Sequence, residues 1–264
     1  MKKRHIFPLR AFGAEVFDPE LKDITDWLGG RRILPCDLLS YKVEHSIGEE
    51  AEVEIPCYGG FYYRKRIVPS LCEVSEGFLR GEPALDAAMI LQDAKVALRM
   101  KKMVCVCLPS PLSLGIEDGY YGDHEEFTGA LCLLYRKMMR ELRDAGIMEC
   151  VIIGERFSSI ELDELVSGKT FFFSPTSMSD ALCGILELQD MVAVPAVRLP
   201  HLIELLNEYD VNKAAILDAG PQDFEKALGA FDSEHLMAGG YGTGEKQDYW
   251  TELKKRAYVD IEYF

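Results

Sequence analysis

The residues best suited to chemistry stand where apolar runs end. Cys150–Ile153 is an unbroken apolar run, and Gly154-Glu155-Arg156 follows it at once. A carboxylate in the place of Glu155 can accept a proton or hold a substrate amine, while the Arg156 guanidinium can clamp a carboxylate. The competing reading is that both only pair with neighbouring charges and cap the end of a strand. Asp218 stands in the same relation to the run Ala214–Leu217, with no partner identifiable from sequence. Near the C-terminus, Gly239-Gly240-Tyr241-Gly242-Thr243-Gly244 could let backbone amides approach an anion, although Glu245 would oppose one and dinucleotide-type GxGxxG spacing is absent. A compact turn is the alternative there. Cys105 and Cys107 share one face of a strand, but with no second pair nearby core packing is the expectation. His124 lacks the second His of an HExxH motif, and His201 and His235 have no ligand pattern around them. No metal site and no cofactor follow from these patterns.

The elements that must position these residues alternate between strand and helix. Strands are expected at His5–Leu9, Ile33–His45, Met103–Leu108, Cys150–Ile153, Thr170–Phe173, Met191–Val194, Ala214–Leu217 and His235–Ala238. Helices are expected at Pro19–Leu28, Ala84–Met100, Asp123–Ala145, Ser158–Val166, Ser177–Leu188, Pro200–Tyr209, Gln222–Ala230 and Glu245–Tyr258. Asp123–Ala145 is the best specified. Asp123 and Glu126 make a capping-box-like start, Phe127, Leu131, Leu134, Met138 and Leu142 form one apolar stripe, and Gly146 stops it. Eight strands and eight helices in order predict a (β/α)8 TIM barrel, with a doubly wound open sheet as the alternative. Ala51–Val68 alternates and carries Gly59-Gly60 before Phe61-Tyr62-Tyr63, which predicts a projecting hairpin inserted after the second strand region. The whole chain, 1–264, reads as one domain.

Charge narrows the partners. A net charge of −15 disfavours a nucleic-acid backbone or an anionic membrane as the main partner. Several of the 8 cysteines sit inside apolar runs rather than in a loop framework. The basic start MKKRHIFPL lacks the long apolar segment of a signal peptide, so a cytoplasmic location is expected.

Leu108–Leu114 (LPSPLSL), Tyr120–Phe127 (YYGDHEEF) and Glu141–Arg156 (ELRDAGIMECVIIGER) together resemble the catalytic barrel of cobalamin-independent methionine synthase. The wider superfamily, which includes uroporphyrinogen decarboxylase and corrinoid methyltransferases, shares that organisation. Phe7–Gly13, Arg64–Leu71 and Gly239–Leu253 resemble further segments of it more weakly. The resemblance implies methyl transfer to a thiol, with zinc held by a His-x-Cys at one strand end, a downstream Glu and a C-terminal Cys. The corresponding segments here read Phe171-Phe172-Phe173-Ser174, Val194-Pro195-Ala196 and Gly240-Tyr241-Gly242, which carry none of those ligands. The family's Asp-Glu-Pro survives only as Gly154-Glu155-Arg156.

Two readings of different class follow. One is a zinc-independent, methyltransferase-related enzyme that handles a small anionic molecule at the C-terminal face. Glu155 and Asp218 would act in catalysis there, with Arg10, Ser110, Arg156, Ser174 and Tyr241 lining the site. The other is a degenerate barrel serving as a partner or regulatory subunit of a methyltransferase system, or self-associating through Phe61, Tyr62 and Tyr63.

Overall fold

The apolar runs fold as parallel strands, buried on both faces, in a computed structural model that describes residues 2–30, 37–242 and 248–262. One four-stranded sheet has the order β10-β11-β12-β2, formed by Met191–Pro195, Lys213–Leu217, Leu236–Gly242 and Leu9–Ala14. The other has the order β3-β6-β8-β9, formed by Cys57–Gly59, Cys105–Pro109, Cys150–Ile153 and Thr170–Phe173. Every pairing within both is parallel. Helices separate the strands, as parallel connections require: α4 (Ala88–Met100), α5 (His124–Asp144), α6 (Ser159–Leu165), α7 (Ser179–Leu186), α8 (Leu199–Leu205), α9 (Pro221–Ala227) and α10 (Tyr249–Arg256). The fold is thus mixed α/β with parallel sheets.

Alternate strand residues sort into two cores. Cys105, Cys107, Val151, Ile153, Phe171 and Phe173 join Phe12 and Ala215 of the other sheet in one cluster. Their neighbours Val106, Leu108, Cys150, Ile152 and Phe172 pack instead with the apolar stripe of α5. That stripe is the one expected, Phe127, Leu131, Leu134, Met138 and Leu142, and all five are buried. Asp123 caps α5 by accepting the Glu125 and Glu126 amides, each at 2.9 Å, and Gly146 ends it at φ 109°.

The two sheets meet differently at their two seams. At one, the Ala11 amide donates to the Ile55 carbonyl at 2.9 Å and the Ile55 amide to the Leu9 carbonyl at 3.2 Å. At the other, no ladder joins β9 to β10 among the described residues. The Gln189 side chain fills that place. Its amide oxygen accepts the Phe172 N–H at 2.9 Å, and its amide nitrogen donates to the Phe172 and Met191 carbonyls at 3.1 and 2.8 Å. Among the described residues, the backbone hydrogen bonds therefore do not close into a ring.

Three expectations are corrected. Residues 38–45 of the predicted strand Ile33–His45 lie in helix α2 (Leu38–Glu49), while residues 33–36 lie outside the described residues. Asp37 caps it by accepting the Ser40 amide, and Val43 and Ile47 bury one helical face, a period of four that overrides the β-like composition. The predicted hairpin at 51–68 is β3 followed by a 3-10 turn, Phe61–Tyr63, and the short helix α3 (Arg64–Ile67). Tyr62 and Tyr63 are buried and Phe61 half-buried, so this aromatic run is core rather than a projecting surface. An actual antiparallel pair comes later, β4 (Val74–Ser75) with β5 (Phe78–Leu79), extended by β7 (Glu117–Asp118). The predicted first strand divides at Pro8. β1 (Lys2–Ile6) pairs antiparallel with β13 (Tyr258–Glu262), and the parallel sheet begins with β2.

A buried ion network anchors α2. Arg66 donates to Asp93 at 2.7 Å and to both Asp37 oxygens at 2.8 and 2.9 Å, and the Tyr63 hydroxyl donates to Asp93 at 3.0 Å. Partial burial alone would raise the Asp37 carboxyl, but hydrogen bonds from Arg66 and the Ser40 amide override it and hold it at about 2. Because the folded value is depressed, its stabilisation is complete above the unfolded carboxylate range near ~4 and vanishes as pH falls through about 2. Urea titrations should accordingly show Asp37→Asn less stable than the parent at pH 6, with the gap shrinking below pH ~4 and closing only below about 2. A gap independent of pH would reject the assignment. Gln189→Leu should cost about 2–3 kcal/mol by the same assay, since it leaves the Phe172 backbone pair unpartnered. A cost below about 0.5 kcal/mol would mean that the amide does not hold the seam.

Candidate functional site

Polar groups converge where the strands end. Glu15 directly follows β2; its amide donates to the Gly242 carbonyl at 2.6 Å and its carboxylate accepts the Tyr241 hydroxyl at 2.8 Å. Tyr241 lies near the end of β12, its ring centroid 6.0 Å from that of Phe173, and burial followed by the nearby Cys107 and Glu15 keeps its phenol protonated well above the usual range. Ser110 follows β6 and is fully buried, its amide donating to the Ile153 carbonyl at 2.7 Å and its hydroxyl 2.9 Å from that of Ser113. Glu155 is exposed and accepts the Thr176 hydroxyl at 3.1 Å; Thr176 in turn lies 3.4 Å from the buried Ser174 hydroxyl. Arg156 is exposed on the same turn. Asp218 follows β11 and accepts the Tyr249 hydroxyl at 2.8 Å, with Arg256 at 3.7 Å. Burial, then Asp218, pushes the Tyr249 phenol up.

Two of the strand ends carry unusual backbone. Asp218 has φ 56° and Ser177, just beyond β9, has φ 45°. Asp tolerates this region better than most residues, whereas a buried serine there is held by its surroundings: the Ser177 amide and hydroxyl both donate to the Ser174 carbonyl, at 3.1 and 3.0 Å. Three carboxylates thus each hold one hydroxyl: Glu15 with Tyr241, Glu155 with Thr176, and Asp218 with Tyr249. Such groups can accept a proton or bind an amine, because one hydroxyl leaves most of a carboxylate's acceptor capacity unused.

Of the residues predicted from sequence, Ser110, Glu155, Arg156, Ser174, Asp218 and Tyr241 stand at these ends. Arg10 does not. Its guanidinium pairs with Glu149, lies 3.4 Å from the Met191 sulfur, and stacks on Phe12 and Phe171 at 4.8 and 4.6 Å. Glu149 immediately precedes β8 and Met191 opens β10, so Arg10 is spent at the N-terminal ends of the strands. Glu15 and Tyr249 join them without a signal in the predicted elements: Glu15 is marked only by the end of β2 at Ala14, and nothing local marks Tyr249.

The glycine-rich segment serves packing in its described part. A Cβ on Gly240 would stand 2.5 Å from the Trp250 ring, and residues 243–247 lie outside the described residues. Cys105 and Cys107 are buried, and desolvation pushes the Cys105 thiol up to about 12. The donor set of a zinc site is absent at the resembling positions: Phe171, Phe172 and Phe173 are buried core. Among the described residues no group of three or more His, Cys, Asp or Glu is placed to hold a metal ion. The described residues at the resembling positions offer zinc no His, Cys or carboxylate. No helix of the described residues is long and apolar enough to cross a membrane.

No protein family and no curated protein matches the chain by sequence. Among solved structures, it is similar to a B12-independent methionine synthase from Shewanella sp. W3-18-1 in complex with selenomethionine, with a TM-score of 0.62, 12% identity and 95% coverage of both chains. A protein described as a phosphonomutase from Burkholderia cenocepacia J2315 is similar at a TM-score of 0.34, with 15% identity over 65% of this chain and 76% of that one. At such identity the first likeness speaks for a distant relation in fold alone, and the second is too low to argue from.

The close approach of strand ends also makes a prediction. Gly60 has φ +144°, and a Cβ there would stand 2.3 Å from the Ala14 carbonyl oxygen and 2.8 Å from the Tyr241 hydroxyl. Gly60→Ala should lower stability by about 2–4 kcal/mol in thermal or urea unfolding, and a neutral result would contradict this packing.

Proposed function

We propose that the chain is a zinc-independent enzyme on a methionine synthase-like (β/α)8 barrel, open at one seam, that binds a small molecule carrying both an amine and an anionic group. The observation that carries this reading is the set of hydroxyl-bearing carboxylates Glu15, Glu155 and Asp218 beyond the strand ends. Polar residues in that position of a barrel serve chemistry more often than stability. Glu155 and Asp218 are exposed to an incoming ligand, and Arg156 offers a guanidinium for its anionic group. Glu155 would accept the proton released by the reacting nucleophile. Ser110, Ser174 and Tyr241 would present neutral hydroxyls. Among the described residues at these strand ends, carboxylates outnumber the guanidinium groups of Arg156 and Arg256, which favours a zwitterion over a simple anion.

Support also comes from the Shewanella methionine synthase, whose bound molecule, selenomethionine, is itself a zwitterionic amino acid. Methyl transfer is the reaction class the resemblance offers, with Glu155 in place of a metal as the activating group. The alternative of a partner subunit has lost its projecting aromatic hairpin, since Tyr62 and Tyr63 are buried.

Calorimetric titration of the full chain with the common amino acids, methionine included, tests the proposal. Saturable binding is expected, weakened at least about tenfold by Glu155→Gln and by Asp218→Asn, roughly the loss of one charge-assisted hydrogen bond. Binding unaffected by either change, or no binding of any amino acid, would refute it.

A further inference from the structure

A second feature lies away from the strand ends, on the outside of α5. Leu133, Arg136, Lys137 and Arg140 recur at i, i+3, i+4 and i+7, and all four are exposed, Leu133 at 63%. They form one wall of a groove of about 950 Å³, whose other walls are residues 83–85 and 163–167. The groove is cationic, with Arg136, Lys137, Arg140 and Arg143 set against Asp163 and Glu164. Among the described residues one close ion pair crosses it, Arg136 to Glu164 at 3.0 Å.

We propose that this groove docks an acidic amphipathic helix from a partner protein. Apolar residues of that helix would cover Leu133 and Val166, the latter 43% exposed, while its carboxylates face Lys137 and Arg140. The basis is complementarity of pattern and charge. The stripe spans two helical turns, about 10 Å, and a helix laid along it would answer with its own i, i+3, i+4 and i+7 positions. Apolar cover would supply most of the affinity, and charge would select acidic over basic helices. Local contacts decide against other occupants: a nucleic-acid backbone has no apolar groups to cover Leu133 and Val166, and a second copy of this face would set the same cations against one another.

Fluorescence anisotropy on the full chain tests this, using a labelled, alanine-based helical peptide of about 16 residues with leucines at i, i+3 and i+7 and three glutamates flanking them, and its counterpart with lysines in place of the glutamates as control. Saturable binding of the glutamate peptide alone is expected. The double variant Lys137→Glu/Arg140→Glu, which leaves the Arg136–Glu164 pair intact, should weaken it at least about tenfold. Raising salt from about 50 to 300 mM should weaken it several-fold. Leu133→Ala should also weaken it, with the salt dependence retained. No saturable binding, equal binding of the lysine peptide, or no effect of the double variant would overturn the proposal. So would a dimer in sedimentation that Leu133→Asp dissociates, because the face would then belong to a second copy.

Discussion

Burial of both faces of each parallel strand is the constraint from which the rest follows. A strand so placed must supply two cores with successive residues, since its side chains alternate. Cys150, Val151, Ile152 and Ile153 do this in four residues: Val151 and Ile153 face the core shared by the two sheets, and Cys150 and Ile152 face the helices. Side chains in the middle of such a strand are taken up by packing. Chemistry is therefore displaced to the ends, where the chain leaves the sheet and side chains meet water.

The two ends are used differently. At the N-terminal end, Arg10 is buried against Phe12 and Phe171 and paired with Glu149. Its Nε has no hydrogen-bond partner among the described residues, so the guanidinium is only partly compensated. Removing Glu149 would leave a buried charge unpaired, which is why such a pair fixes an arrangement even where it adds little net stability. At the C-terminal end the acids are instead joined to hydroxyls, and Glu155 and Asp218 remain open to solvent. One end holds its charges closed and the other leaves acceptors available.

What the sequence made legible follows from the same constraint. Runs such as Cys150–Ile153 and Thr170–Phe173 were readable to the residue, because a strand buried on both faces is continuous in composition and ends abruptly. The stripe and cap of α5 were readable for the complementary reason, a periodicity sustained over 21 residues. β3 was not. With three residues and glycines at its end, Cys57–Gly59 carries too little pattern to distinguish it from a turn, and its identity comes from pairing with Cys105–Cys107 far along the chain. Losing β3 also turned a buried Tyr62-Tyr63 into an expected surface feature. The site was half legible: positions after recognised strands were found, whereas Tyr249 reaches Asp218 only through the packing of α10.

The seam between β9 and β10 shows why strand order and closure are separate questions. The order of the two sheets would permit a ring, and the interior core is continuous across them. Closure needs backbone groups at facing registers. Here the chain leaving β9 returns through α7 and presents a side-chain amide instead, Gln189, which satisfies both polar groups of Phe172 and the carbonyl of Met191. An amide side chain carries the same donor and acceptor as a peptide unit, so it can stand in for one residue of a neighbouring strand but not for the next. The sheet is therefore joined at a point rather than along a ladder. The groove lined by Thr170, Phe171, Gln189 and Met191 marks where the remaining backbone pairing would have been. Sequence periodicity reports which residues are buried; it does not report that β9 and β10 are joined through the Gln189 side chain rather than through backbone.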